Sequence, residues 1–371
     1  MIVIKKINIR SDLSYTKKAI ERGNIRFGFL GGSITAFEEY RSWTEPVVKE
    51  FMANHPDVQV AVENLAIGTT HSGFGVFRTD EFLIDKGCDI VFVEYAVNDY
   101  SLEKDERLKS REGIVRKLLK SKKCDVVLVY TFADPMLEKM DEGKIPSSIV
   151  DFEEIAEHYC LNSVWMGLNA WEKAKSGIVR WEDWVPDNTH PESRGGLLYA
   201  EPVIEFMKKI LSSDIKEVAE LKAPLIADNW ENARRIPFEE MEWKAPWILR
   251  RNASNLHVLN SAPVNPYQYL ETSAIDAVLE VPFEGTGVVV CQMHGKACAS
   301  FKFKIDDGEW KLRKIPVKPA DWTGNDGLYV LIGLAAGLEY GKHKLTIQSV
   351  HNFDDGIVGN RLEFYMFGEI R

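Results

Sequence analysis

No hydrophobic stretch in the 371 residues runs long enough without interruption to span a bilayer, which argues against a membrane anchor. Cysteine is scarce. Cys88, Cys124, Cys160, Cys291 and Cys298 form no disulfide framework, and an odd number in apolar contexts fits reduced, buried thiols. Cys291 and Cys298 flank Gln292 to Ala297 and are spaced to pair across a hairpin, so that pairing stays open. The eight histidines are scattered, with no H-E-x-x-H or C-x-x-C run, so no metal is expected. Gly28, Gly31 and Gly32 do not make G-x-G-x-x-G, no lysine-bearing P-loop appears, and Glu63 lies too far past the glycines. No nucleotide or other cofactor is therefore expected. Positive charge is also in deficit: the net charge is −10 and no basic cluster offsets it, which argues against nucleic acid and anionic membranes as partners. Met1 to Arg10 holds neither an apolar core nor a small-residue cleavage site, so it does not read as a signal peptide and a cytoplasmic location is expected. No heptad seam indicates an oligomeric state.

What the chain does have is ample apolar content, 45% of residues, and a length that favours two domains. Strand-like runs at 25–30, 58–64, 89–95 and 125–130, with a short one near 162–166, alternate with helical stretches near 42–54, 72–85, 102–122 and 148–160. A further helix is expected over 11–23, and another after His190 to about Leu211. This alternation specifies a three-layer α/β/α, flavodoxin-like parallel sheet over residues 1–220. From 221 to 371 helical periodicity fades. Prolines come first, then short alternating strands at 281–293, 299–305, 310–315, 327–332, 341–350 and 361–368, with Asp306-Asp307-Gly308 as a hairpin turn. That pattern is an all-β sandwich of jelly-roll type.

Within the first domain, Gly31-Gly32-Ser33-Ile34-Thr35 follows a buried strand directly. Two glycines permit a sharp bend and a close backbone approach, which lifts Ser33 out of the sheet as a nucleophile. Asn64-Leu65-Ala66-Ile67-Gly68 ends the second strand, Ala96-Val97-Asn98-Asp99 follows the third, and Asp187-Asn188-Thr189-His190 precedes the last helix. In open α/β sheets ligands bind beyond the carboxyl ends of the strands, so these loops converge on one crevice. Each piece has a plainer use: Asn98-Asp99 as a turn, or Asp187 as a helix cap with Pro191 in the first helical turn. Their order at successive strand ends favours chemistry. Glu94, a charge within the apolar third strand, must be paired or lie near the crevice, and an ion pair is the expected arrangement.

These residues resemble the SGNH (GDSL-type) hydrolase superfamily, with Ser33, Gly68, Asn98 and His190 in the name-giving positions over roughly residues 25 to 212. Gly32 stands where the commoner signature has Asp, and Ala96 where many members have Gly. The GGSIT form is similar to a branch rich in carbohydrate esterases. The chemistry also follows from the groups present. Ser33 is the nucleophile, His190 the base and then the acid, and Asp187 the group that fixes the imidazole tautomer. The N–H groups of Ser33 and Gly68 with the Asn98 amide make the oxyanion hole.

The expected substrate is a small-molecule or oligosaccharide ester, chiefly an O-acetyl group. Acyl transfer, lipase or thioesterase activity and non-catalytic carbohydrate binding remain as alternatives. Gly32, Trp181 and Trp184 are expected to line the substrate crevice. Trp165 and Trp171 belong to the same tryptophan cluster, while Trp310, Trp322, Tyr329 and Tyr340 offer stacking faces in the second domain.

Overall fold

Continuous runs of Val, Ile and Phe cannot face water on either side, and the sheet they build lies between two helix layers. The computed structural model describes residues 5–37, 39–192, 194–251, 268–295, 297–315, 328–351 and 359–371. It divides into two compact units, Met1–Glu231 and Asn232–Arg371. In the first, β1 (Ile7–Asn8), α1 (Ser14–Arg22), β2 (Asn24–Leu30), α2 (Ser33–Ala36), α3 (Thr44–Asn54), β3 (Gln59–Asn64), α4 (Ser72–Val76), β4 (Ile90–Val93), α5 (Lys104–Ser121) and β5 (Asp125–Tyr130) follow one another. Then come α6 (Leu137–Asp141), α7 (Ser147–Tyr159), β6 (Asn162–Trp165), α8 (Met166–Lys175), α9 (Trp181–Trp184) and α10 (Gly195–Leu211).

The sheet order is β1-β6-β5-β4-β2-β3, parallel throughout except for β1, which runs antiparallel to β6. Every residue of β4, β5 and β6 is buried, as expected of a parallel sheet covered on both faces. Phe29 stacks on Phe92 at 5.3 Å between centroids, locking β2 to β4 at the centre. From β2 the chain goes out to β3 on one side and returns to β4 on the other. The strand order thus reverses between β2 and β4, the place in an open α/β sheet where ligands bind beyond the carboxyl ends.

The second unit contains β7 (Arg234–Ile236), β8 (Ile248–Arg251), β9 (Gln268–Thr272), β10 (Val278–Gly285), β11 (Gly287–His294), β12 (Ser300–Ile305), β13 (Lys311–Arg313), β14 (Leu328–Ala335), β15 (Gly341–Val350) and β16 (Leu362–Ile370). They form a four-stranded sheet, β10-β15-β12-β13, and a six-stranded sheet that includes β14-β11-β16-β9-β8. Leu279, Val281, Val290, Phe301, Leu345, Ile347, Phe364 and Phe367 from both sheets fill the space between them. This is the expected β-sandwich.

Three expectations need correction. The run 281–293 is not one strand: Gly285, at φ 153°, breaks it into β10 and β11. The helix expected over 72–85 is α4 followed by a separate wide helical turn at Asp80–Ile84. The division between units falls after Glu231 rather than residue 220, because the buried Glu112 carboxylate of α5 accepts the N–H groups of Leu225 and Ile226 and holds that segment on the first unit. None of the five cysteines is in a disulfide, Cys291 and Cys298 included, as expected of reduced thiols. Trp322 lies outside the described residues, and of the other proposed stacking faces Trp310 and Tyr340 are exposed while Tyr329 is buried.

Candidate active site

The turn after β2 is built by close contact. A Cβ on Gly31 would stand 2.9 Å from the Glu94 carbonyl oxygen, and one on Gly32 would meet the Asn98 side chain. Bare backbone thus lets the ends of β2 and β4 touch, and α2 starts at once with Ser33 as its first residue. The loop after β3 is stitched to this turn by the Ile67 N–H, which donates to the Gly31 carbonyl at 3.1 Å. Gly68 then occupies a tight turn closed by the Thr70 N–H on the Ile67 carbonyl at 3.3 Å, with Thr69 left-handed at φ 66°. Asn98 sits in the turn after β4. Its neighbour Asp99 is fully buried, pairs with the equally buried Arg111 at 2.7 Å and accepts the Ser72 N–H at 2.9 Å. That network fixes the Asn98 turn against α4 and α5. The turns that carry Ser33, Gly68 and Asn98 therefore meet at the carboxyl ends of β2, β3 and β4.

Ser33 Oγ lies 2.8 Å from His190 Nε2, and His190 Nδ1 lies 2.7 Å from Asp187 Oδ2. Asp187 does two things. Its Oδ1 accepts the backbone N–H of Thr189 at 3.0 Å and of His190 at 2.6 Å, shaping the loop, while Oδ2 takes the imidazole N–H. Partial burial pushes its pKa up, but the backbone and ring N–H groups of His190 and the Thr189 N–H outweigh it and hold the carboxyl below its ordinary range. The plainer reading of Asp187 as cap of the following helix does not apply, since α10 begins only at Gly195.

Side chains that the sequence reading passed over hold the His190 loop. Arg41 Nη2 pairs with Glu192 at 2.7 Å, and its Nε donates to the Pro191 carbonyl at 3.2 Å. The guanidinium lies 4.1 Å above the Phe37 ring, which meets the imidazole edge-on at 5.3 Å. Trp181 is half-buried and donates its indole N–H to Asn188 Oδ1 at 2.9 Å. Trp184 is not a crevice wall. It is fully buried against Phe132 and Tyr199, so tertiary packing decides its role. Trp165 is also buried, and Trp171 donates to Asp141 at 3.2 Å.

Glu94 corrects another expectation. It is fully buried at the end of β4, and its partners are hydroxyl and amide groups rather than a cation: Thr35 Oγ1 donates at 3.1 Å, Thr131 Oγ1 at 2.8 Å, and the Gly32 N–H also points to the carboxyl. Burial raises its pKa against these hydrogen bonds. Among the described residues, no group of three or more His, Cys, Asp or Glu side chains is placed to hold a metal ion, and no helix is long and apolar enough to cross a membrane.

No family model and no curated protein matches the chain. Solved structures do. A two-domain esterase active on acetylated mannans, co-crystallised with mannopentaose, aligns with a TM-score of 0.78 over 98% of this chain and 96% of its own, at 22% identity. A second structure of a two-domain esterase active on acetylated mannans gives 0.78 over 98% of this chain and 97% of its own, at 21% identity. The chain has the fold of these two-domain esterases, a flavodoxin-like α/β unit followed by a β-sandwich.

Proposed function

We propose that this protein is a serine esterase that removes small acyl groups, chiefly O-acetyl, from an oligosaccharide. One observation carries the reading: Ser33 Oγ, His190 and Asp187 form an unbroken hydrogen-bonded relay at the carboxyl ends of the strands. The full-length likeness to esterases described as active on acetylated mannans supports the acyl group and the carbohydrate acceptor. Five cysteines outside any disulfide, four of them buried, support a reducing, cytoplasmic setting.

In this mechanism the Ser33 oxygen attacks the ester carbonyl carbon as its proton passes to His190 Nε2, and the Nδ1–H stays with Asp187. The carbonyl oxygen becomes an oxyanion that meets the Ser33 and Gly68 N–H groups and the Asn98 amide. Among the described residues none of these donors has a protein acceptor, which leaves them free for that oxygen. Collapse breaks the bond to the sugar oxygen, which takes the proton from His190. Water, deprotonated by the same imidazole, then releases the acid and restores Ser33.

The test compares hydrolysis of p-nitrophenyl acetate with that of longer acyl esters for the wild-type and Ser33→Ala chains, followed by acetate release from acetylated manno-oligosaccharides. Turnover confined to short acyl groups and abolished by the substitution supports the reading. Turnover that survives Ser33→Ala refutes it. Diversion of the acyl group to added sugar hydroxyls in place of water would identify an acyltransferase.

A further inference from the structure

We infer that Glu94 is a positioning residue that sets the Ser33–His190 geometry by gripping the nucleophile turn from beneath and tying it to the loop that supports the base. The inference rests on the esterase reading of Ser33.

The contacts bracket the nucleophile. Gly32, immediately before Ser33, gives its N–H to the carboxyl, and Thr35, two residues after it, gives its hydroxyl at 3.1 Å. The Thr35 hydroxyl is itself oriented, because Trp43 Nε1 donates to the same oxygen at 3.2 Å and leaves the hydroxyl hydrogen to point at Glu94. Asn64 Nδ2 donates to the Thr35 carbonyl at 2.9 Å and so holds α2 from the other side. The second carboxyl oxygen receives Thr131 at 2.8 Å, just past β5.

From Thr131 the chain runs straight to the base. Phe132 packs on Trp181 and Trp184 at 5.4 and 4.8 Å, and the Asp134 N–H donates to the Asn188 carbonyl at 2.8 Å, inside the Asp187–His190 loop. A single buried carboxyl therefore joins the two halves of the relay. Packing alone does not explain it. A fully buried strand end that follows Ile90-Val91-Phe92-Val93 would be filled more favourably by an apolar side chain, whereas converging donors on both oxygens define a position.

Glu94→Gln keeps the shape but sets an NH2 group against donors that need an acceptor. The Ser33–His190 distance of 2.8 Å is the quantity at risk. Displacements of about 1 Å from a reactive geometry cost on the order of a hundredfold in rate.

The experiment measures kcat and KM for p-nitrophenyl acetate, and the rate constant for phosphonylation of Ser33 by a p-nitrophenyl organophosphonate, in the wild-type, Glu94→Gln and Thr131→Val chains. All are assayed well below their melting temperatures, with folding checked by circular dichroism. The expected result is a fall in kcat and phosphonylation of about ten- to a hundredfold for Glu94→Gln at unchanged KM. Thr131→Val, which removes one donor and keeps the carboxyl, shows a smaller fall in the same constants. Wild-type constants in folded Glu94→Gln, or a loss seen only as a lower melting temperature, would overturn the role of Glu94 while leaving the esterase intact. If Glu94→Gln does not fold, unchanged constants in Thr131→Val overturn it instead. A wild-type chain that is inert to both reagents would overturn the esterase reading and this inference together.

Discussion

Gly32→Ala adds one methyl group at a position where the backbone imposes no penalty, and the structure assigns its cost to one neighbour. Gly32 lies at φ −92° and ψ −155°, an extended conformation open to alanine. The new Cβ would stand 1.9 Å from Asn98 Oδ1, 2.4 Å from its Cγ and 2.6 Å from its Nδ2, and these three atoms are its nearest neighbours. Asn98 must swing away and take its amide from the oxyanion position. Loss of one such donor costs about 2.7–4 kcal/mol of transition-state stabilisation, a fall in kcat on the order of 10²–10³. Stability should change by less than about 1 kcal/mol, since Gly→Ala at a compatible site restricts the unfolded chain. The decisive assay is a double-mutant cycle with p-nitrophenyl acetate. Asn98→Ala alone should lose the same factor, and adding Gly32→Ala to it should cost almost nothing further, because the obstructing side chain has gone. Wild-type kcat in Gly32→Ala, or losses that multiply in the double variant, would refute both the contact and the role of the Asn98 amide.

Asp187→Asn should leave KM nearly unchanged and lower kcat on the order of 10²–10⁴, because the amide oxygen keeps the Thr189 and His190 N–H groups and its NH2 donates to Nδ1, which places the imidazole proton on Nε2 facing Ser33; steady-state kinetics on the folded variant check this, and a loss confined to KM would contradict it. Asp125 is held near pKa 6, against an ordinary 3.8, by burial that outweighs the hydrogen bonds from Thr16. The fold therefore keeps a proton that the unfolded chain releases above about pH 4, so this group's contribution to stability declines as pH rises from about 4 to about 6, by about 3 kcal/mol in all. Urea unfolding across that range should show Asp125→Asn gaining on the wild-type chain as pH rises, and a pH-independent difference would exclude the effect.

The parallel sheet was legible because β4, and β5 after Asp125, are continuous apolar runs and β2 ends in Phe27-Gly28-Phe29-Leu30, a pattern that a doubly covered sheet accommodates. Ser33, Gly68, Asn98 and His190 were legible for a related reason: each follows a strand or precedes a helix whose boundaries show in composition. What supports them was not. Thr35 and Thr131 meet Glu94 only after β2, β4 and β5 are aligned, and hydroxyls carry no periodic signal. Trp181 and Trp184 read alike as a pair, yet packing buries the second and leaves the first on the His190 loop. The break between β10 and β11 did have a local mark, since Gly285-Thr286-Gly287 interrupts the run and Gly285 takes a conformation few other residues adopt. Arg41 carried no mark at all: Phe37 is four residues away, but the ion-pair and hydrogen-bond partners Glu192 and Pro191 lie on a loop about 150 residues further on.

The hydroxyl and the imidazole that meet at 2.8 Å come from distant parts of the first unit, Ser33 from just after its second strand and His190 from just before its final helix. A chain emerging from synthesis presents the serine long before its partner exists, and in that interval the hydroxyl is an ordinary alcohol. Reactivity is thus withheld until the domain closes. Any fraction of molecules in which α10 has come undocked would be chemically silent rather than indiscriminately reactive, so titration of the serine by a covalent probe would count folded domains.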